Sequence, residues 1–346
     1  MTNRHIARRT LLSELAVGAG LGASLSSSPA GARAGTELEI SSEGHLAQKG
    51  DVKLAMYRKW AGKVGGWPAK PLPVLFLVHG SSLSSRSSFD LAFPDSTYSV
   101  MDVFAGYGFD VWTMDHEGFG RSDRTAGTSD IASRVEDLKA AMIVVQRVSG
   151  PSKVHVFGES SGAIAAAAFA QSEPDRVDRL ILAATTYKGE GAAEIQRRRD
   201  RIAELRANPQ RKRDAAMIRS IFTRDGHPNL YEPTMVDALI SSEMQYGDSV
   251  PSGTYVDMAV NLPLVDPKKV LSPVLMTRGE WDGNSTDDDL LEFFRQLPNG
   301  DRQYVILPNT AHSQGLSKNR LLFVVRDEEL PRRAGAGGEL RKTSSS

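Results

Sequence analysis

Val154-His155-Val156-Phe157-Gly158-Glu159-Ser160-Ser161-Gly162, running on into Ala163-Ile164-Ala165-Ala166-Ala167-Ala168, is the stretch on which the reading of this chain turns. The first residues are apolar and β-prone, as a strand buried on both faces must be. The alanine-rich run has the highest intrinsic helix propensity available. Between them sits Gly-x-Ser-x-Gly. Those five letters are weak evidence alone; their position, closing a strand and opening a helix, gives them meaning. A hydroxyl on so sharp a turn projects clear of the sheet. Crowding two positions before and after it demands side chains close to hydrogen, which Gly158 and Gly162 supply.

Outward from this turn the chain alternates strand and helix, which predicts an α/β fold with a mostly parallel, doubly wound sheet. Strands are expected at Glu37–Ile40, Val52–Arg58, Val74–Val78, Asp110–Met114, Lys153–Phe157, Arg179–Ala183, Val274–Thr277 and Gln303–Leu307. Helices are expected at Val100–Gly106, Ile131–Val148, Ser161–Ser172 and Asp287–Gln296. Asp287-Asp288-Asp289 reads as acids favouring a helix N-terminus, not as a metal site. The rhythm breaks between Gly189 and Pro263, so 189–263 reads as a helical cap inserted late in the sheet. The core is then 35–188 with 264–331. The cap contains a basic helical run, Gln196–Arg213, read as a solvated face in preference to a surface for anions.

The 346 residues are 40% hydrophobic and 24% charged, enough to bury a substantial core. Lys+Arg and Asp+Glu balance at 42 each, so no global field recruits nucleic acid. The absence of cysteine excludes disulfides, thiolate metal sites and a cysteine nucleophile. Arg4, Arg8 and Arg9, a short apolar stretch from Leu15 to Leu25, and Ala32-Arg33-Ala34 together read as a signal peptide over 1–34. The paired arginines resemble a twin-arginine leader, so an exported, periplasmic or secreted protein is expected. No apolar run is long enough to span a membrane. The tail 332–346 is Gly, Arg, Lys and Ser and reads as disordered.

At this point the chain resembles the α/β-hydrolase-fold serine hydrolases over most of residues 70–315. The resemblance rests on the Gly158–Gly162 elbow, on His79-Gly80-Ser81-Ser82 after one strand, and on Asp115-His116-Glu117-Gly118-Phe119-Gly120-Arg121-Ser122 after the next. Gly279-Glu280-Trp281-Asp282 and His312 complete it, each beyond a later strand. The order Ser160…Asp282…His312 agrees with that of the fold. The resemblance implies Ser160 as nucleophile, His312 as base and Asp282 as the acid that orients it. It also implies an oxyanion hole from the Ser161 and Ser81 backbone N–H groups, with Ser82 as the lesser choice for the second donor. Glu280 and Glu190 remain open as alternative acids. Among the other histidines, His79 and His116 read as loop-shaping hydrogen-bonders and His155 as a packed strand residue. Asp115 reads as a structural brace.

Haloalkane dehalogenases and epoxide hydrolases of this superfamily carry an aspartate where this chain has Ser160, because their alkyl-enzyme ester needs a carboxylate. Serine leaves acyl transfer to water. A small or medium carboxylic ester is the expected small-molecule substrate; amides, lactones and carbon–carbon cleavage are alternatives, and a non-catalytic binding member is the remote one. No cofactor or metal is implied, and the oligomeric state is left open. Tyr231, Tyr246 and Tyr255 read equally as an acyl pocket or as cap core.

Overall fold

The computed structural model describes residues 39–62, 71–224, 227 and 229–322. The leader read over 1–34 and the tail read over 332–346 lie outside the described residues. Eight strands form one sheet: β1 (Ile40–Lys49), β2 (Val52–Ala61), β3 (Val74–Val78), β4 (Asp110–Met114), β5 (Val154–Glu159), β6 (Val177–Ala183) and, beyond a two-stranded ribbon of β7 (Gln210–Lys212) and β8 (Ser249–Pro251), β9 (Val274–Gly279) and β10 (Arg302–Leu307). Their order is β1-β2-β4-β3-β5-β6-β9-β10. β1 and β2 pair antiparallel and β2 meets β4 antiparallel. Every pairing from β4 to β10 is parallel. The carboxyl ends of the inner strands therefore share one edge, where open α/β sheets bind ligands.

The helices are α1 (Ser85–Phe89), α2 (Val100–Gly106), α3 (Ile131–Ser149), α4 (Ser161–Ser172), α5 (Ala193–Asp200), α6 (Ile202–Ala207), α7 (Ala215–Ile221), α8 (Pro233–Met244), α9 (Gly253–Val260) and α10 (Asp287–Gln296). Local chemistry sets their starts: the Ser99 hydroxyl accepts the Asp102 N–H at 3.1 Å, and the Asp130 carboxylate the Ser133 N–H at 2.8 Å. On one face of the sheet, α3, α4 and α10 bury Leu138, Ile164, Phe169 and Leu290 against Phe76, Val156 and Met276. On the other, α2 packs Met101 and Phe104 against Leu75, Val111 and Ile181. Residues between β6 and β9 have their own core of Ile218, Met235 and Leu239, which continues into Leu83, Tyr98 and Leu316 of the sheet domain. Among the described residues no helix is long and apolar enough to cross a membrane.

Two expectations need correction, and a third is refined: the acids of 287–289 do occupy the first turn of α10. The first strand runs through Lys49 and does not stop at Ile40: Ser41–Lys49 is polar because β1 lies at the sheet edge, pairing residue for residue with β2. The basic run 196–213 is not one helix. α5 ends at Asp200, α6 ends at Ala207, and β7 follows; the next residue, Asn208, precedes Pro209, whose ring disfavours helical backbone before it. In α10, Thr286 is the N-cap, accepting the Asp289 N–H at 3.3 Å. The buried Asp289 carboxylate reaches away to accept the Tyr187 and Lys188 N–H groups at 3.0 and 2.8 Å, bracing the loop after β6.

A candidate active site at the carboxyl edge of the sheet

β5 ends at Glu159 and α4 starts at Ser161, which leaves Ser160 as the single residue of the turn. Its backbone is held at φ 60° and ψ −127°, a conformation costly for any residue with a Cβ. Ser160 N–H donates to the Ala183 carbonyl at 2.9 Å, which pins the turn to β6. From there its Oγ lies 2.9 Å from His312 Nε2, and His312 Nδ1 lies 2.9 Å from Asp282 Oδ1. The loops after β5, β9 and β10 thus bring together the three residues singled out in the sequence.

Asp282 is buried. Burial alone would raise its carboxyl, but His312 and the Asn284 backbone and side-chain amides hold it below the usual carboxylate value. An ionised acid in this place fixes the His312 proton on Nδ1 and leaves Nε2 free to accept from the serine. The alternative acids stand elsewhere. Glu280 is exposed, and its Oε2 accepts the Asn309 N–H at 2.9 Å, which ties the acid loop to the histidine loop. Glu190 is exposed, and its carbonyl accepts from Thr286 Oγ1, before α10, at 3.2 Å.

The loop after β3 is built from buried polar groups. Ser81 Oγ donates to Ser161 Oγ at 2.7 Å and accepts from Thr254 Oγ1 at 2.8 Å, which joins this loop to α4 and to α9. Arg134, buried in α3, donates to the His79 and Gly80 carbonyls at 3.0 and 3.2 Å and to Ser161 Oγ at 3.3 Å. Sequence reasoning missed Arg134, although its place on the Ile131–Val135–Leu138 stripe marked an inward position. Glu243 of α8 pairs with the equally buried Arg213 and accepts from Ser84 N–H at 2.6 Å. Asp115 accepts from the Ser85 and Arg121 N–H groups, both at 2.9 Å, the bracing role expected of it. His155, buried in β5, lies 3.2 Å from Asp178.

His79 has a fixed tautomer. Its Nε2 accepts the His116 N–H at 3.0 Å, so the ring proton sits on Nδ1 and donates to the Gly80 carbonyl at 2.8 Å. Burial first, then His116 and Arg134, hold its pKa well below 6.5. The unfolded chain takes up a proton there that the folded one refuses. Stability present above that value is therefore lost as pH falls below it, at up to about 1.4 kcal/mol per pH unit for one such group. His79→Gln is expected to flatten the fall in denaturant midpoint between about pH 6.5 and pH 5. An unchanged slope would mean that His79 takes its proton in the folded protein.

A narrow cavity of about 50 Å³ lies directly over Ser160, lined by Ser82, Leu83, Glu159 and His312 among others. Burial raises Glu159 to about 7, against the pull of His312. The wall of Arg198, Ile221, Arg224 and Tyr255 is shared with an outer cavity of about 760 Å³. Of the three tyrosines weighed from sequence, Tyr255 stands on this wall, and Tyr231 lies in the core around Ile218, Met235 and Leu239. Tyr246 is in the turn after α8, where its carbonyl accepts from Arg124.

The family model for the serine aminopeptidases of group S33 matches residues 70–314. The chain belongs to this family of α/β hydrolases. This S33 hydrolase is 34% identical over 111 residues to a 2-hydroxy-6-oxononadienedioate/2-hydroxy-6-oxononatrienedioate hydrolase of Paraburkholderia phymatum, covering 31% of this chain and 34% of that one. It is 36% identical over 120 residues to a putative carbamate hydrolase of Caulobacter segnis, over 35% and 40% of the two chains. The S33 chain thus spans well under half the length of the curated relatives it matches. Among solved structures it superposes on a 2-hydroxy-6-oxo-6-phenylhexa-2,4-dienoate hydrolase from Rhodococcus with a TM-score of 0.61 at 18% identity, over 85% and 100% of the chains. A carboxylesterase from Bacillus subtilis gives 0.58 at 17%, over 84% and 92%. At those identities the shared property is the fold.

Proposed function

We propose that the protein hydrolyses a carboxylic ester through an acyl-enzyme on Ser160. The observation that carries the reading is the continuous chain Ser160 Oγ–His312–Asp282 with both links at 2.9 Å. His312 Nε2 takes the Ser160 proton as Oγ attacks the ester carbonyl and then returns it to the departing alcohol. Water repeats the sequence to release the acid. The tetrahedral oxyanion is placed between the N–H groups of Ser161, at the start of α4, and of Ser81, with the helix dipole adding to both. Ser81 and Ser161 are already joined through their hydroxyls, so the two donors are spaced before substrate arrives.

Esters are the easiest acyl substrates for such a triad, and a structural neighbour is a carboxylesterase. Two relatives are named epoxide hydrolases, a chemistry that a serine at position 160 does not serve. Carbon–carbon hydrolysis by the same triad is a second reading, favoured by the names of the Paraburkholderia and Rhodococcus proteins. A fluorophosphonate probe is expected to label the protein and not its Ser160→Ala variant, and turnover of 4-nitrophenyl esters against anilides and diketones separates the readings. Label on the alanine variant would end the proposal. Asp282→Asn is expected to lower kcat by about 10⁴ by leaving the wrong histidine tautomer, while Glu190→Gln leaves it close to the parent. The reverse pattern would move the acid to the loop after β6.

A further inference from the structure

The outer cavity is walled by the segment read from sequence as a solvated basic face, and its charges divide into two sets. Three of the cations lining it are matched: Arg201 bonds Glu204 at 2.7 Å and Arg197 pairs with Glu194, both acids lining the same cavity, and Lys212 bonds Asp214 at 2.7 Å. Arg198 and Arg211 are not matched in this way. Arg198 is buried and donates to Asn284 Oδ1 at 2.7 Å and to Met258 Sδ at 3.2 Å. Arg211 donates to the Ser81 carbonyl and to Ser82 Oγ, with Nε buried and unbonded. Both guanidinium groups lie over the ring of Tyr255, at 4.5 and 4.0 Å from its centroid. Among the described residues neither has a carboxylate within ion-pair distance. Arg224, on the same wall, is 3.7 Å from Glu194.

Burying a guanidinium group among neutral partners costs several kcal/mol unless an anion compensates; Arg198 is buried in this way, and Arg211 is half-buried beside it. The strain registers at both: burial pulls Arg198 down to about 10 and lowers Arg211 as well. Their field acts on Tyr255, where burial pushes the phenol up but Arg211, Arg198 and Arg224 bring it down to about 6. One phenolate cannot balance both Arg198 and Arg211. Among the described residues Glu159 is the single carboxylate lining the narrow cavity over Ser160.

We propose that Arg198, Arg211 and Arg224 form an anion subsite that holds a free carboxylate of the substrate, so that the preferred substrate is an ester carrying a carboxylate on its acyl or its alcohol half. The inference rests on the Ser160 reading and adds the substrate class. Arg198 also touches the triad through Asn284, whose N–H donates to Asp282 Oδ1 at 2.9 Å. A carboxylate drawn onto Arg198 would therefore settle beside the catalytic acid's own support.

The test compares matched esters. On the acyl side, mono-4-nitrophenyl adipate is set against 4-nitrophenyl hexanoate; on the alcohol side, 4-carboxyphenyl hexanoate against phenyl hexanoate. In one arm the charged ester is expected to show kcat/KM higher by about 10–100-fold, the scale of a hydrogen bond to a charged group. Arg224→Gln and Arg211→Gln are each expected to shrink that ratio toward one, whatever they do to the neutral ester. A second readout needs no turnover: adipate, and not 1,6-hexanediol, is expected to raise the Tm of Ser160→Ala. Ratios near one in both arms, or a ratio that survives both substitutions, would overturn the subsite while leaving ester hydrolysis standing. If no ester is turned over, the ester reading falls, and the adipate shift alone decides the subsite.

Discussion

Ser160→Gly is expected to lower ester turnover by about 10⁴–10⁶ and to leave the protein at least as stable as Ser160→Ala. Both variants lose the nucleophile and the hydrogen bond to His312, so their difference isolates the backbone. At φ 60° and ψ −127° an alanine keeps the steric conflict of a Cβ, and glycine does not. The usual cost of glycine against alanine, about 1 kcal/mol in ordinary helix, should therefore reverse by a similar amount. Denaturant midpoints of the two variants measure it. Should the alanine variant be the more stable, the turn would not be strained, and the exposure of the hydroxyl would need another cause. The expected sign means that stability is given up where the reaction needs an attacking atom lifted clear of the sheet.

What could be read in the sequence was whatever local order determines. The elbow was legible because an apolar strand, a Gly-x-Ser-x-Gly turn and an alanine helix stand side by side within fifteen residues. Asp282 and His312 were legible through their positions after strands, since β9 and β10 announce themselves as apolar runs. β1 was largely missed because an edge strand need bury only part of itself, and Ser41–Lys49 carries little apolar signal. The basic segment misled for a different reason. In sequence Arg197, Arg198 and Arg201 look alike, yet Arg197 and Arg201 pair with Glu194 and Glu204 while Arg198 lies over Tyr255 with no acid partner among the described residues. The break at Asn208-Pro209 was visible; which arginine it would aim into the cavity was not, because the partners come from α9 and from the β3 loop. Glu159 shows the same limit. It fills the variable position of the motif, and its carboxyl is unusual only because of what surrounds it.

Gly162→Ala is expected to cost about 3 kcal/mol or more, with turnover falling in the fraction that still folds. A Cβ at Gly162 would lie 2.6 Å from the His79 carbonyl oxygen and closer still to that of Val78, and backbone cannot swing aside as a side-chain tip can. Gly158→Ala meets the same obstacle from the other side, with the Ala163 Cα at 2.6 Å and its nitrogen at 2.7 Å. These glycines let α4 close against β3, and that approach sets Ser161 against Ser81 and so spaces the proposed oxyanion donors. Forcing the helix outward would part those donors even where the triad survives, and one misplaced donor is worth on the order of 10²–10³ in rate. Gly44→Ala and Gly300→Ala, where an added methyl meets open space, are the controls and should stay within about 0.5 kcal/mol of the parent. A Gly162→Ala protein with parental midpoint and turnover would show that the helix need not sit so close. Within one five-residue turn, then, removing a Cβ at the centre should stabilise and adding one at either end should destabilise. Conformation is the burden at Ser160 and space is the burden at its flanks.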